Sequence, residues 1–217
     1  GVWRLAPRLA DHFAAASMMA GHPGDVGLQN LRNLPFMIWC GAEDAAYNRN
    51  DECAKRGKEM DSLQLNCPDG YIHQTHILPQ KGHWMDREDA AALPWMEKFV
   101  RNPYPDSIIW CQEDVLRDCF YWISVPREEI ARGKEVRISV KKSTIHIERC
   151  DYSRLTLYLN DNIVNLDKKV KVKKDGKVLY NGKVLRSAQV MAETMERRGD
   201  PMYCSPARLV VDTQRHQ

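Results

Sequence analysis

Two ionisable residues in this sequence stand where acid–base chemistry would need them. Asp44 closes the turn Gly41-Ala42-Glu43-Asp44, directly after the apolar run Leu34 to Cys40. His83 lies in Lys81-Gly82-His83-Trp84, just beyond a second run from Tyr71 to Leu78. A carboxylate paired with an imidazole fixes its tautomer and stabilises its charged form, so the far ring nitrogen can act as a general base. Such a base needs a nucleophile within hydrogen-bond reach, and no G-x-S-x-G occurs anywhere in the chain. Ser17 falls inside an apolar run and Ser62 at a helix end, so neither reads as that nucleophile.

Competing readings attach to each residue. Asp44 also suits the N-cap of the helix that follows, and His83 also suits a loop histidine beside Trp84. Glu43 is an alternative acid. His22, in Gly21-His22-Pro23, is a candidate for the substrate cleft together with Trp84, although a turn role fits His22 equally. His73 and His76 lie within a strand pattern and read as structural.

The elements that would carry these residues follow from hydrophobic periodicity. Val2 to Leu9 fits an amphipathic helix, and Phe13 to Ala20 is a buried strand stopped by Gly21-His22-Pro23-Gly24. Leu34 to Cys40 and Tyr71 to Leu78 are two further strands, with helices expected over Asn50 to Leu63 and Asp89 to Val100. Alternating helices and strands imply a parallel sheet covered by helices, an α/β unit. In such sheets ligands and catalytic groups gather at the carboxyl ends of the strands, where Asp44 and His83 fall.

Around Asn102-Pro103-Tyr104-Pro105 the pattern changes, which divides the chain into residues 1–103 and 104–217. Beyond the boundary short alternating strands are expected at Ile108 to Cys111, Phe120 to Val125, Glu135 to Val140, Thr144 to Glu148, Leu155 to Leu159 and Ala207 to Val211. Asp175-Gly176 and Asn181-Gly182 read as hairpin turns, and Ser187 to Arg198 as a helix stopped by Gly199. The Val/Lys alternation over Val170 to Lys174 reads as a solvated edge strand. Trp110, Phe120, Tyr121, Trp122, Tyr152, Tyr158 and Tyr180 fit a small domain's core better than a sugar- or polymer-binding platform.

Composition sets the outer limits. Of 217 residues, 43% are hydrophobic and 28% charged, the balance of an ordinary globular protein. No apolar run approaches the ~18 residues of a membrane-spanning helix, and a net charge of +3 gives no nucleic-acid footprint. The seven cysteines show no metal-ligand spacing, so no metal site is expected.

Several segments together resemble the α/β-hydrolase superfamily. Gly1-Val2-Trp3-Arg4-Leu5-Ala6 resembles the helix after a nucleophile elbow of the form G-x-S-x-G-G-Y-G, and Phe13 to Gly21 the strand that follows. Gly41-Ala42-Glu43-Asp44 and Gly82-His83-Trp84 resemble the acid turn and the histidine loop. The likeness is to polyhydroxybutyrate-depolymerase-like, feruloyl-esterase-like and prolyl-oligopeptidase-like serine hydrolases, over residues 1–103. It implies the carboxyl half of an α/β-hydrolase parallel sheet, three strands with helices, followed by a small mostly-β, sandwich-like domain. It further implies ester or peptide hydrolysis with Asp44 as acid and His83 as base, no cofactor, and a small-molecule or polymer ester as substrate. The serine and oxyanion hole would lie upstream of Gly1, so the chain alone is expected to be inactive. The incomplete sheet is expected to self-associate or to pair with the missing half. The alternative from another class is a non-catalytic carbohydrate- or polymer-binding or interaction module on a degenerate hydrolase scaffold.

Overall fold

The most continuous apolar run becomes the centre of the first sheet. Phe36–Gly41 (β2) is buried at every position and pairs in parallel with Ala16–Met19 (β1) and His73–Leu78 (β3), in the order β1-β2-β3. A strand covered on both faces has no solvated side on which to place polar residues, hence the unbroken run. Successive side chains of β2 enter opposite layers. Phe36 meets Trp3 of helix Val2–Arg8 (α1), ring centroids 5.1 Å apart, and the buried thiol of Cys40 stands beside that of Cys53 from helix Arg49–Asn66 (α2). Met37 and Trp39 pack instead with Met85, Ala92 and Trp95, from the 3-10 turn Met85–Ala91 and the short helix Ala92–Met96 (α3). The result is helix–sheet–helix layering around β2.

A computed structural model describes residues 1–214 of the chain, which divides into two units, Gly1–Asn102 and Pro103–Gln217. The architecture is mixed α/β, with one three-stranded parallel sheet and separate, mainly antiparallel sheets. In the first unit α2 lies close on β3. A Cβ added at Gly57 would stand 2.6 Å from both Cγ2 and Oγ1 of Thr75, so the mid-helix glycine is there to permit the approach.

Two expected elements of this unit are shorter than the periodicity implies. The strand expected over Phe13 to Ala20 is only Ala16–Met19, because Ala20 turns to φ 48° and Phe13 lies outside the ladder. The helix expected over Asp89 to Val100 keeps only Ala92–Met96 in α form; Asp86 and Arg87, both at positive φ, separate it from the histidine loop, and 3-10-type bonds such as Phe99 N–H to Met96 O close its end.

The second unit holds two sheets. Ser107–Cys111 (β4), Glu135–Lys141 (β7), Thr144–Cys150 (β8), Val170–Lys174 (β10) and Lys177–Gly182 (β11) form one, in the order β11-β10-β8-β7-β4. Cys119–Phe120 (β5), Ile123–Ser124 (β6), Arg154–Leu159 (β9) and Ala207–Asp212 (β12) form the other, in the order β12-β9-β6-β5. Helix Ala188–Arg198 (α4) ends at Gly199, whose φ of 59° suits a residue without a Cβ. Alternation is clearest in β12, where Ala207, Leu209 and Val211 are buried and the residues between them exposed.

Three sequence expectations are corrected here. Val170–Lys174 is no edge: β10 sits between β8 and β11, with Val170 and Val172 buried and the lysines on the opposite, wetter face. A period of two reports one solvated face and says nothing about whether both backbone edges are paired. Asn181-Gly182 is no turn, since both residues pair with β10 inside β11, whereas Asp175-Gly176 does reverse the chain at φ 49° and 77°. The single strand expected over Phe120 to Val125 is the hairpin β5–β6, reversing at Tyr121-Trp122 with Tyr121 at φ 49°. Its turn carries no glycine or asparagine; Trp122 is buried instead, and its Nε1 donates to Pro105 O at 2.8 Å.

Candidate active site

The acid turn is an extension of the sheet. Where β2 and β3 end, the backbone pairing continues: Ala42 N–H donates to Leu78 O and Glu43 N–H to Lys81 O, both at 2.9 Å. Gly41 allows this closeness, since an added Cβ would stand 2.7 Å from the Lys81 carbonyl carbon and nearer still to the carbonyl oxygens of Lys81 and Gly82. The loop that follows β3 is held as a tight coil, with Gln80, Met85, Asp86 and Arg87 all in the left-handed region that non-glycine residues seldom occupy. Two features fix it: the buried side chain of Met85, and Lys81 Nζ, which bonds Asp86 Oδ2 at 2.7 Å and Glu88 Oε1 at 2.9 Å.

These two segments bring Asp44 and His83 together. His83 Nδ1 lies 2.9 Å from Asp44 Oδ2 across 39 residues of sequence. The Asp44 side chain is 2% exposed and that of His83 45% exposed, so the acid is enclosed and the base faces out. A carboxylate can only accept, so Nδ1 carries the proton and the neutral ring keeps a lone pair on Nε2. Among the described residues no side chain hydrogen-bonds that Nε2.

Asp44 is held from its other side by Arg49, the first residue of α2. Arg49 Nε donates to Oδ2 at 2.9 Å and Nη2 to Oδ1 at 2.6 Å, a two-pronged contact. The Arg49 guanidinium is the main cause holding the Asp44 carboxyl below its usual range; burial opposes it and the His83 bond adds to it. Asp44 is therefore ionised at neutral pH. It does not cap α2 with its side chain, because its oxygens go to Arg49 and His83; the cap residue is Asn48.

The remaining residues singled out by sequence sort as follows. Glu43 is exposed and contributes a backbone amide to the Lys81 carbonyl, while the neighbouring carboxylate of Asp44 takes the imidazole. Trp84 is 83% exposed beside the pair, its ring edge-on to His83 at 5.6 Å. His22 accepts the Gly24 amide at 3.0 Å through Nδ1, a turn contact. His73 bonds Tyr71 O and Asp61, and His76 stacks on Trp39 at 4.0 Å. Ser62 Oγ donates to Lys58 O along α2, and Ser17 Oγ is buried in β1.

Arg49 escaped the sequence reading. Its signal was present, an arginine shortly after a candidate acid at the start of a helix, where the positive end of the helix dipole disfavours a cation. No group of three or more His, Cys, Asp or Glu among the described residues is arranged to hold a metal ion, and no helix among them is long and apolar enough to cross a membrane. In the second unit Trp110, Phe120, Tyr121, Trp122 and Tyr152 are buried and belong to its core, whereas Tyr158 and Tyr180 are partly exposed. No family model, curated protein or solved structure matches this chain.

Proposed function

We propose that the first unit carries the acid and base of a serine hydrolase that cleaves ester, or peptide, bonds, with the serine contributed by sequence upstream of Gly1. The reading is supported above all by one observation: a buried Asp44 bonds Nδ1 of His83, whose half-exposed ring lies beyond the carboxyl ends of parallel strands with no described side chain on Nε2. That is the arrangement a base needs if it is to collect a proton from a hydroxyl delivered from outside. The fold belongs to the same reading: β1-β2-β3 would be the carboxyl half of an α/β-hydrolase sheet, with the mostly-β unit appended.

In that scheme Nε2 of His83 takes the serine proton as Oγ bonds to the substrate carbonyl carbon. Asp44 stabilises the resulting imidazolium, which then protonates the leaving alcohol or amine as the carbon–oxygen or carbon–nitrogen bond breaks. Water, deprotonated by the same nitrogen, releases the acyl group. The steps need no cofactor. The open edge of β1, with Met19 and Phe13 partly exposed nearby, belongs to the same proposal as the place where a second copy or the missing half would pair.

The test starts with the coding sequence upstream of Gly1. The expected outcome is a G-x-S-x-G segment, a complete protein that hydrolyses p-nitrophenyl esters and takes a fluorophosphonate label, and a drop of ~10⁴-fold or more in His83→Ala. The 217-residue chain by itself should do neither and should run above monomer mass in light scattering. An upstream segment with no such serine would sink the hydrolase reading and leave a binding module.

A further inference from the structure

The beginning of α2 is bent back over the acid turn at some local cost. Tyr47 and Asn48 both sit in the left-handed region, at φ 56° and 57°, although neither is glycine. Asn50 is tied to the same turn twice, its Nδ2 donating to Ala42 O at 3.0 Å and its backbone N–H to Asp44 O at 3.2 Å. The first turn of α2 also carries Asp51 and Glu52, which suit the helix dipole, whereas the arginine ahead of them opposes it. What these features accomplish together is the placement of one guanidinium, 15% exposed, against a carboxylate that is 2% exposed.

We propose that Arg49 is the positioning residue of the acid–base pair: its two-pronged grip on both oxygens of Asp44 fixes the carboxylate plane so that Oδ2 points at His83 Nδ1. This rests on the hydrolase reading for its purpose but not for its geometry. A carboxylate bonded only to an imidazole can swing about its last torsion, and each swing lets the ring exchange tautomers. Bonds on both oxygens remove that freedom. The planar fork is essential, since a lysine is a point charge that holds one direction at a time. Among the described residues, the other groups bearing on the pair are Trp84, edge-on to His83, Tyr47, whose ring centroid lies 5.6 Å from the guanidinium, and the thiols of Cys40 and Cys53. None of them is a second cation, so among the described residues none of these groups takes over the charge of Arg49 when it is removed.

The experiment is nitrogen-15 spectroscopy of the His83 ring in the 217-residue chain, in alkaline buffer, with Arg49→Gln and Arg49→Lys beside the unmodified chain. The unmodified chain should show the Nδ1–H tautomer. Arg49→Gln should lower the ratio of Nδ1–H to Nε2–H about tenfold, the effect of one charge-assisted hydrogen bond, and Arg49→Lys should also lower it, restoring at most part of that loss. A role for Arg49 in helix packing alone would leave that ratio untouched. Should Arg49→Gln fail to melt cooperatively, Arg49→Lys decides. On the unmodified chain itself, the Arg49 Nε–H should exchange slowly with solvent, and a freely exchanging Nε–H overturns the proposal. So does an unchanged ratio in a folded variant, which would leave the hydrolase reading standing. Absence of the Nδ1–H preference in the unmodified chain would instead remove the Asp44–His83 pairing, and both proposals with it.

Discussion

Replacing Gly41 by alanine tests whether the acid and base depend on a backbone contact rather than on their own side chains. The new Cβ would meet the Lys81 carbonyl carbon at 2.7 Å and the carbonyl oxygens of Lys81 and Gly82 closer still, where ordinary contact begins at 3.4 Å, so the loop must retreat by at least about 0.7 Å. The obstacle is backbone on both sides, with no flexible side-chain end to fold away. If the retreat of Lys81 and Gly82 is carried to the adjoining His83, the 2.9 Å bond to Asp44 opens to about 3.6 Å or more, beyond what counts as a hydrogen bond. Overpacking costs about 1–3 kcal/mol, and loss of a bond to a charged group about 1.5–3 kcal/mol. For a unit of this size each kcal/mol lowers Tm by about 4–8 °C, so the first unit should melt some 10 °C or more earlier. Calorimetry and His83 ring spectra would be read together, since the tautomer preference should fade as the Tm falls. A variant with unchanged Tm and an unchanged ring spectrum would refute the claim that the Gly41 contact holds the pair in register.

Three further outcomes follow from the geometry. Asp44 has its folded pKa depressed, so its contribution to stability is fully present above the carboxylate's unfolded pKa of about 3.9 and is lost as pH falls through the lower folded value; Asp44→Asn should flatten the acid limb of a Tm-against-pH series while leaving a lower plateau at neutral pH. Gly57→Ala should destabilise by up to about 2 kcal/mol in denaturant titration, because the clash with Thr75, about 1–3 kcal/mol, outweighs the roughly 1 kcal/mol that alanine gains as a helix former; a stabilised variant would show that α2 has room to lift from β3. Trp122→Ala should cost the second unit about 3–5 kcal/mol by emptying the β5–β6 turn and leaving the Pro105 carbonyl without its donor, and calorimetry should show that unit's transition moved.

The sequence announced the parts of this fold that depend on burial on two faces and on local turn chemistry. β2 is an unbroken apolar run because no side of it meets water, and Asp175-Gly176 supplies the two positive φ angles that a tight hairpin needs. Asp44 and His83 were legible for a related reason: each follows a readable strand, and parallel strands end on the same side of a sheet. What stayed hidden depended on neighbours remote in sequence. Whether Val170–Lys174 has one partner strand or two cannot be read from its own alternation, and Tyr121-Trp122 turns without any turn-forming residue because an indole is anchored elsewhere. The grip of Arg49 on Asp44 is local in sequence, but it needs Tyr47 and Asn48 in a conformation that their side chains do not advertise.

The bonds from Ala42 to Leu78 and from Glu43 to Lys81 carry the β2–β3 ladder past its formal ends into the acid turn. Loops that carry chemistry commonly open on their own, at a small fraction of the energy of global unfolding. Here the two amides that set the distance between acid and base are rungs of the sheet. Their deuterium uptake should keep pace with that of the core amides of β2, not with that of the Trp84 loop beside them. The pair would then be as slow to lose its alignment as the sheet is to come apart, and motion in this site would be left to the imidazole itself.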